Sequence, residues 1–107
     1  MRLKPSVRIL GIKPELVLGA LIVESCYAAI DVDPVVTVGM DGTHSMGSEH
    51  YAGLALDFRM HHVPVERREA LVAAIREALG PDFDVLWEDA TGPNSHLHVE
   101  YDPKAPY

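Results

Sequence analysis

Four residues with acid–base or metal-binding side chains lie in or near segments that read as β-strands. His50 precedes Asp57 by seven positions in SEHYAGLALD, and His96 and His98 alternate in SHLHVEY. Alternate residues of a strand point to the same face of a sheet, so His96 and His98 are expected to share a face. Zinc binds imidazole nitrogen and carboxylate oxygen, and a catalytic zinc site has three protein ligands and one open position. Two histidines and one aspartate would supply the three protein ligands of such a site.

Asp57 is the most informative of these residues, because a single histidine in a chain with six indicates little by itself. Asp57 lies inside the short apolar segment LALDF. An ionised carboxylate that is buried without a partner costs several kcal/mol, so it needs a cation or strong hydrogen-bond donors. Arg59 shares the strand face of Asp57 and offers a structural alternative, in which the two residues pair and the histidines are incidental.

Two helices are predicted to support these segments. The first begins at Pro14 and ends before Asp31, and because it is apolar on most faces it is expected to be the central helix. The second begins at Pro64 and ends at Gly80-Pro81. Its single apolar stripe predicts a surface helix with one face packed down.

Four strands are predicted at Val35–Val38, Leu54–Phe58, Phe83–Trp87 and His96–Tyr101. The order helix, strand, strand, helix, strand, strand lacks the regular alternation that a doubly wound parallel sheet needs. The sequence therefore predicts an α+β fold, in which a small antiparallel sheet of about four strands is covered by two main helices on one side and carries a single zinc site.

Composition limits the classes of protein to consider. A chain of 107 residues that is 48% hydrophobic and 23% charged is expected to form one domain, residues 1–107, with an ordinary packed core. Its formal net charge of -7 should repel phosphate backbones and anionic membrane surfaces, so nucleic acid is not an expected partner. Cys26 is the only cysteine and cannot form an intramolecular disulfide.

The beginning of the sequence, MRLKPSVRIL, has spaced charges and no apolar stretch of signal-peptide length. No window approaches the roughly 20 apolar residues of a membrane span. We therefore expect a protein that is synthesised in the cytoplasm without a signal peptide. A lone chain of 107 residues with a buried metal is expected to be stable as a monomer.

The two chemical segments resemble a known family. SEHYAGLALDFR matches the pattern Ser-x-His-x-x-Gly-x-Ala-x-Asp of zinc D-Ala-D-Ala carboxypeptidases and L-alanyl-D-glutamate endopeptidases, and SHLHVEY matches the His-x-His that follows it. Together they resemble the hedgehog/DD-peptidase zinc-binding fold. The resemblance is strongest over Asp41 to Arg59 and Phe83 to Asp102. The layout and length are similar to those of small members encoded by phages and prophages.

The resemblance implies a role for each matching position. His50 and Asp57 would be the first two zinc ligands, and His98 the third. His96 would sit beside the open coordination position, as a candidate catalytic residue. Ser48 would orient the segment by hydrogen bonding or serve as a turn residue.

The activity that the resemblance implies is zinc-dependent hydrolysis of peptide bonds in peptidoglycan stem peptides or cross-links, as a carboxypeptidase or an endopeptidase acting on the bacterial cell wall. Related enzymes hold a substrate carboxylate with a cationic residue. Arg59 is the nearest candidate for that role, and Arg8 is a distant second.

The general base is open, because many members of the family have Glu or Asp three residues before the last ligand and this sequence has Ser95 there. Glu88, at the end of DVLWE, is the favoured candidate. Glu100 shares a strand face with His98 and would be either the base or the acceptor of the free ring N–H of a ligand histidine. The departure at Ser95 also favours an alternative function, a non-catalytic zinc-binding domain that serves as a structural or binding module of a virion.

Overall fold

The computed structural model describes residues 1–41 and 52–104. Two helices and five strands are present in these ranges: β1 (Arg2–Leu3), α1 (Pro14–Ala28), β2 (Val35–Val38), β3 (Ala55–Arg59), α2 (Val65–Leu79), β4 (Phe83–Glu88) and β5 (His96–Tyr101). The predicted α+β class is confirmed. The predicted ends of the helices and strands differ from the observed ones by at most two residues. Neither helix is long and apolar enough to span a membrane.

The sheet has the strand order β1-β2-β3-β5-β4. β1 is parallel to β2, and the other neighbours are antiparallel. The sheet is therefore mixed and has five strands in the described residues, whereas the sequence predicted about four antiparallel strands. The strand that the sequence did not predict is β1. It has only two residues, both of them exposed, so no alternation of apolar and polar residues indicates a strand there. Backbone hydrogen bonds define it, from Arg2 N to Pro34 O at 2.8 Å and from Lys4 N to Val36 O at 2.9 Å.

Alternation along β3 and β5 separates a core face from an open face. Leu56 and Phe58 on β3 and Leu97 and Val99 on β5 are at most 2% exposed and belong to the same hydrophobic core as residues of both helices. Their neighbours in sequence, including Asp57, point to the opposite face. The helices thus cover one face of the sheet, as predicted, and the polar residues are collected on the other.

α1 is only half buried, although the sequence predicts a central helix. Leu16, Val23 and Tyr27 are fully buried, whereas Leu18 is 62% and Leu21 is 54% exposed. The sheet and α2 cover one side of α1, and in the described residues nothing of comparable size covers the other. The prediction from the apolar composition of α1 therefore overestimated the buried fraction of this helix.

Tyr27 connects α1 to the end of β3. Its hydroxyl donates a hydrogen bond of 2.9 Å to the carbonyl oxygen of Arg59 and lies 3.3 Å from Sδ of Met60. Burial raises the pKa of the Tyr27 hydroxyl far above its usual value, so this group stays a donor at any ordinary pH. The contact fixes the backbone at the point where β3 presents Arg59.

Gly53 shapes the chain just before β3. Its φ of 74° lies in the left-handed region, and its carbonyl accepts a hydrogen bond of 2.9 Å from the backbone N–H of Lys13. A Cβ at this position would lie 2.4 Å from the carbonyl oxygen of Gly11. Backbone conformation and close approach together require glycine here.

We predict that Gly53→Ala destabilises the protein considerably more than Gly80→Ala does. Gly80 also has a positive φ, of 79°, but a Cβ there would meet no atom within 4 Å. Gly80→Ala should therefore cost only the backbone strain, about 1 to 3 kcal/mol, because its φ of 79° and ψ of -172° lie in a region that is essentially restricted to glycine. Gly53→Ala should cost about 1 kcal/mol or more beyond this, because the backbone of Gly11 must also move. Urea unfolding of both variants measures the difference, and equal costs would contradict the proposed close approach.

Candidate metal centre

Strand pairing brings the predicted site residues onto the open face of the sheet. In the antiparallel pair of β3 and β5, Asp57 lies opposite His98 and Arg59 lies opposite His96. In the pair of β4 and β5, Glu88 lies opposite His96. Residues that are directly opposite point to the same face, so the neighbouring strands β3, β5 and β4 present these five side chains side by side.

His98 lies between two carboxylates. Its Nδ1 is 2.9 Å from Oδ1 of Asp57, and its Nε2 is 2.9 Å from Oε1 of Glu100. All three side chains are less than 20% exposed. A carboxylate can only accept a hydrogen bond, so this arrangement is best satisfied when both ring nitrogens of His98 carry a proton.

The two carboxylates stabilise the charged form of His98. The hydrogen bond with Asp57 is the largest effect, and it outweighs the desolvation that opposes it; together with Glu100 it raises the pKa of His98 from 6.5 to about 9. Without a metal, the group beside Asp57 is thus an imidazolium cation. Asp57 therefore favours a positive charge on the Nδ1 side of His98.

The donor set fits a zinc ion on the Nδ1 side of His98. An imidazole nitrogen and a carboxylate oxygen already in contact are ligands that zinc prefers, and the metal would replace the proton between them. The two ring nitrogens point in opposite directions, so Glu100 cannot share that ion and instead lies where a second-shell acceptor would be. The predicted ligand His50 and the predicted orienting residue Ser48 lie outside the described residues.

His96 and Glu88 form a neighbouring pair. The Nδ1 of His96 donates a hydrogen bond of 2.7 Å to the carbonyl oxygen of Asn94, so its proton is fixed on that nitrogen. Its Nε2 faces Oε1 of Glu88 at 3.6 Å, which is longer than a hydrogen bond. Glu88 is 52% exposed and is therefore accessible to a substrate or a water molecule.

Ser95 has a structural role in the described residues. Its side chain is fully buried, and its hydroxyl accepts a hydrogen bond of 2.9 Å from the indole Nε1 of Trp87. Its backbone oxygen accepts hydrogen bonds from the N–H groups of Met60 and His61. Position 95 thus joins the turn before β5 to the end of β3, and its hydroxyl is occupied by Trp87.

A cavity of about 250 Å³ opens beside Asp57 and His96 and has a cationic wall. Lys4 and Arg59 supply the positive charge of this wall, and His61 also lines it. Burial, together with the positive charge of Arg59 and of other nearby cationic groups, lowers the pKa of His61. In a chain with a net charge of -7, this local excess of positive charge is unusual.

Arg59 has no partner for its charge in the described residues. Its Nε is buried without a hydrogen bond, and no carboxylate of residues 1–41 or 52–104 lies within ion-pair distance of its guanidinium. The structural alternative, in which Asp57 pairs with Arg59, is therefore not what these residues show. Asp57 contacts His98 instead.

Two residues of the cavity wall were missed by the sequence reasoning. Lys4 follows β1, a strand too short to be predicted, and reaches the cavity only because β1 pairs with β2. His61 is exposed just after β3 and lines the cavity because β3 ends there. Arg8, the distant second candidate for binding a substrate carboxylate, is not part of this wall, and its guanidinium lies near the carbonyl oxygens of Ser6 and Val7.

A second group of potential ligands lies at the other end of β5. Asp84, Glu100 and Asp102 have carboxylate oxygens within 4.8 Å of one another. The ammonium of Lys104 lies 3.0 Å from Asp84 and 3.1 Å from Asp102, so an internal cation already offsets part of the negative charge of the group. Exposed acidic groups of this kind are common without a metal, and this one gives no specific indication of a site.

Comparison of the chain with models of protein families, with curated proteins and with solved structures finds no match. The family resemblance thus depends only on the residues of the two motifs. The contact between Asp57 and His98 is an independent structural observation about the same residues.

We predict that the metal-free protein loses stability as the pH rises from about 6.5 to about 9. The pKa of His98 is about 9 in the folded chain and 6.5 is its ordinary value, so the stabilisation is fully present below pH 6.5 and is lost as the pH passes through 9. The expected loss is on the order of 2 kcal/mol. Urea unfolding in the presence of a chelator, at a series of pH values, measures it.

His98→Gln is the control for this prediction, because glutamine keeps hydrogen-bonding capacity but does not titrate. Its free energy of unfolding should vary much less between pH 6.5 and 9. An equally steep loss in this variant would show that another group causes the pH dependence.

Proposed function

We propose that this protein is a zinc-dependent peptidase that hydrolyses peptide bonds of peptidoglycan stem peptides or cross-links. His50, Asp57 and His98 would hold the zinc ion. The observation that carries the proposal is the contact between Asp57 and Nδ1 of His98 on the open face of the sheet. Beside this contact lies a cavity lined by Arg59, which has no acidic partner among residues 1–41 and 52–104. Zinc in such a site supplies a Lewis acid for the scissile carbonyl and makes water nucleophilic near neutral pH.

Glu88 is the favoured general base. It is half exposed and lies on the open face beside His96, so its carboxylate can accept a proton from a water molecule near the substrate. Glu100 is already hydrogen-bonded to His98, and its role is to fix the orientation and basicity of that ring. With its Nδ1 proton held by Asn94, His96 has Nε2 free to orient Glu88 or the substrate.

Arg59 is proposed to bind a carboxylate of the substrate. A guanidinium beside an open cavity, with its Nε buried and unpartnered, can gain hydrogen bonds when an anionic group enters. Lys4 adds positive charge to the same wall. Stem peptides of peptidoglycan carry free carboxylates, so they match this cavity in charge.

The bacterial cell wall would be the site of action, and the similarity to small phage and prophage enzymes favours a phage or prophage origin. A second candidate function is a zinc-binding module of a virion without catalysis. The use of the Ser95 hydroxyl by Trp87 favours it, because the position of the family's usual carboxylate is here committed to packing. Both functions require zinc, and only the first requires hydrolysis.

The zinc site predicts about one zinc ion per chain in the purified protein. Asp57→Asn and His98→Ala should each retain little metal, because each removes one of three ligands. His62→Gln is the control, since His62 lies away from the site and is hydrogen-bonded to the carbonyl oxygen of Asp33. Elemental analysis of the four proteins after dialysis measures the content. No zinc in the wild type, even after incubation with excess metal, would exclude both functions.

Glu88→Gln should keep the zinc and lose at least about a hundredfold in hydrolysis of purified sacculi, because a general base contributes at least that much to the rate. Glu100→Gln should instead weaken zinc binding by about tenfold or more. A zinc-loaded Glu88→Gln protein with full activity would exclude Glu88 as the base. A zinc-loaded wild type without activity would support the virion module.

Arg59→Gln should raise the KM for stem peptides that end in a free carboxylate by about tenfold or more, with a smaller change for peptides whose terminus is amidated. Arg67→Gln is the matched control, because Arg67 is exposed on α2 on the helical side of the sheet. Equal effects of Arg59→Gln on both kinds of peptide would show that Arg59 does not recognise the carboxylate.

A further inference from the structure

The outward side of α1 carries an uncharged stripe that the fold leaves exposed. Pro14, Leu18, Leu21, Ser25 and Ala28 are all exposed and follow one another at spacings of four, three, four and three. We call these five residues the outer stripe. This spacing is the heptad spacing of helices that pack against another helix, and Leu18 and Leu21 at its centre are 62% and 54% exposed.

An apolar groove runs along one edge of the outer stripe. It has a volume of about 180 Å³ and lies between α1 and the residues before it, where Leu3, Ile9 and Val17 contribute to its walls. Leu21 belongs both to the groove and to the outer stripe. A raised row of side chains beside an apolar groove is the shape into which the side chains of another helix pack.

The charges around the outer stripe exclude two possible occupants. Glu15 and Glu24 flank the stripe on its two sides, and the chain as a whole has a net charge of -7. An anionic membrane surface or a nucleic acid would therefore be repelled. The surface fits a protein helix whose contacting face is apolar and that presents a cationic side chain to the flank of Glu24.

We propose that the occupant is a second copy of this chain, and that α1 pairs with its counterpart in antiparallel orientation about a two-fold axis. Such an interface uses the same surface twice, so Leu18 of each copy packs against Leu21 of the other. The small side chains of Ser25 and Ala28 allow the helices to approach closely. This differs from the monomer that the length of the chain led us to expect.

The same arrangement places opposite charges near each other. If the two-fold axis passes midway between Leu18 and Leu21, Lys13 lies level with position 26 of the second copy. Glu24 of the second copy is two residues from that level, which is about 3 Å along the helix axis. Lys13 and Glu24 lie on the same flank of the outer stripe, as a two-fold antiparallel pair requires. Within one chain Lys13 makes no ion pair in the described residues, and Glu24 holds the amino group of Met1.

The dimer would leave the candidate metal centre accessible. α1 packs on the core face of the sheet, whereas Asp57 and His98 are on the open face. Association and catalysis are therefore separable, and failure of either proposal does not affect the other.

Sedimentation equilibrium of the full chain, at concentrations from about 1 µM to about 500 µM, tests the proposal, because a single pair of helices forms a smaller interface than a typical stable complex. The wild type should change from monomer to dimer within this range. Leu18→Glu/Leu21→Glu should weaken association by more than about tenfold. Val65→Glu is the matched control, since Val65 is 73% exposed at the start of α2, and it should associate as the wild type does.

Charge reversal tests the orientation. Lys13→Glu alone should weaken the dimer, and Lys13→Glu/Glu24→Lys should recover at least part of the loss, because the pair is restored with opposite signs. Circular dichroism confirms that each variant is folded. A wild type that stays monomeric at 500 µM, or a dimer that survives Leu18→Glu/Leu21→Glu, would overturn the proposal. So would binding of the wild type to vesicles containing phosphatidylglycerol, if that binding is lost in the same double variant.

Discussion

The register between β3 and β5 is the constraint on which the rest of the structure depends. It places Asp57 opposite His98 on the open face and, in the same ladder, Leu56 and Phe58 opposite Val99 and Leu97 in the core. Because side chains alternate between faces, a shift by one residue would bury the carboxylate and expose the apolar residues. Burial of the core residues therefore also holds the site in its geometry. The hydroxyl of Tyr27 and the left-handed turn at Gly53 support the two ends of β3.

The open face of the sheet also carries positive charge. The chain is acidic overall, yet His98 is held as a cation between Asp57 and Glu100, and Arg59 faces the neighbouring cavity without an acidic partner in the described residues. The first feature suits replacement of a proton by a metal ion, and the second suits recognition of an anionic group. These two features lie side by side on neighbouring strands. For this reason, a metal-dependent hydrolase of carboxylate-bearing peptides is a better proposal than a metal site alone.

The two faces of the sheet serve two different kinds of interaction. Both helices pack on the core face, so the open face is left for the polar residues of β3, β5 and β4. On the helical side, α1 has more apolar surface than the sheet and α2 can cover. A small domain has too few elements to enclose a helix completely, and this is the physical reason that we propose an interface with a second copy at the outer stripe.

The sequence by itself determined the α+β class, both helices, four of the five strands and the common face of His96 and His98, because these follow from local periodicity, proline and glycine positions and strand alternation. It also singled out Asp57, since a carboxylate in an apolar strand requires a partner. Only the tertiary structure decided which partner that is. The contact with His98, the hydrogen bond from His98 to Glu100, the approach of Lys4 and the exposure of the outer stripe of α1 all depend on strand pairing and helix packing between residues far apart in the chain. Local patterns carry no information on such distant contacts.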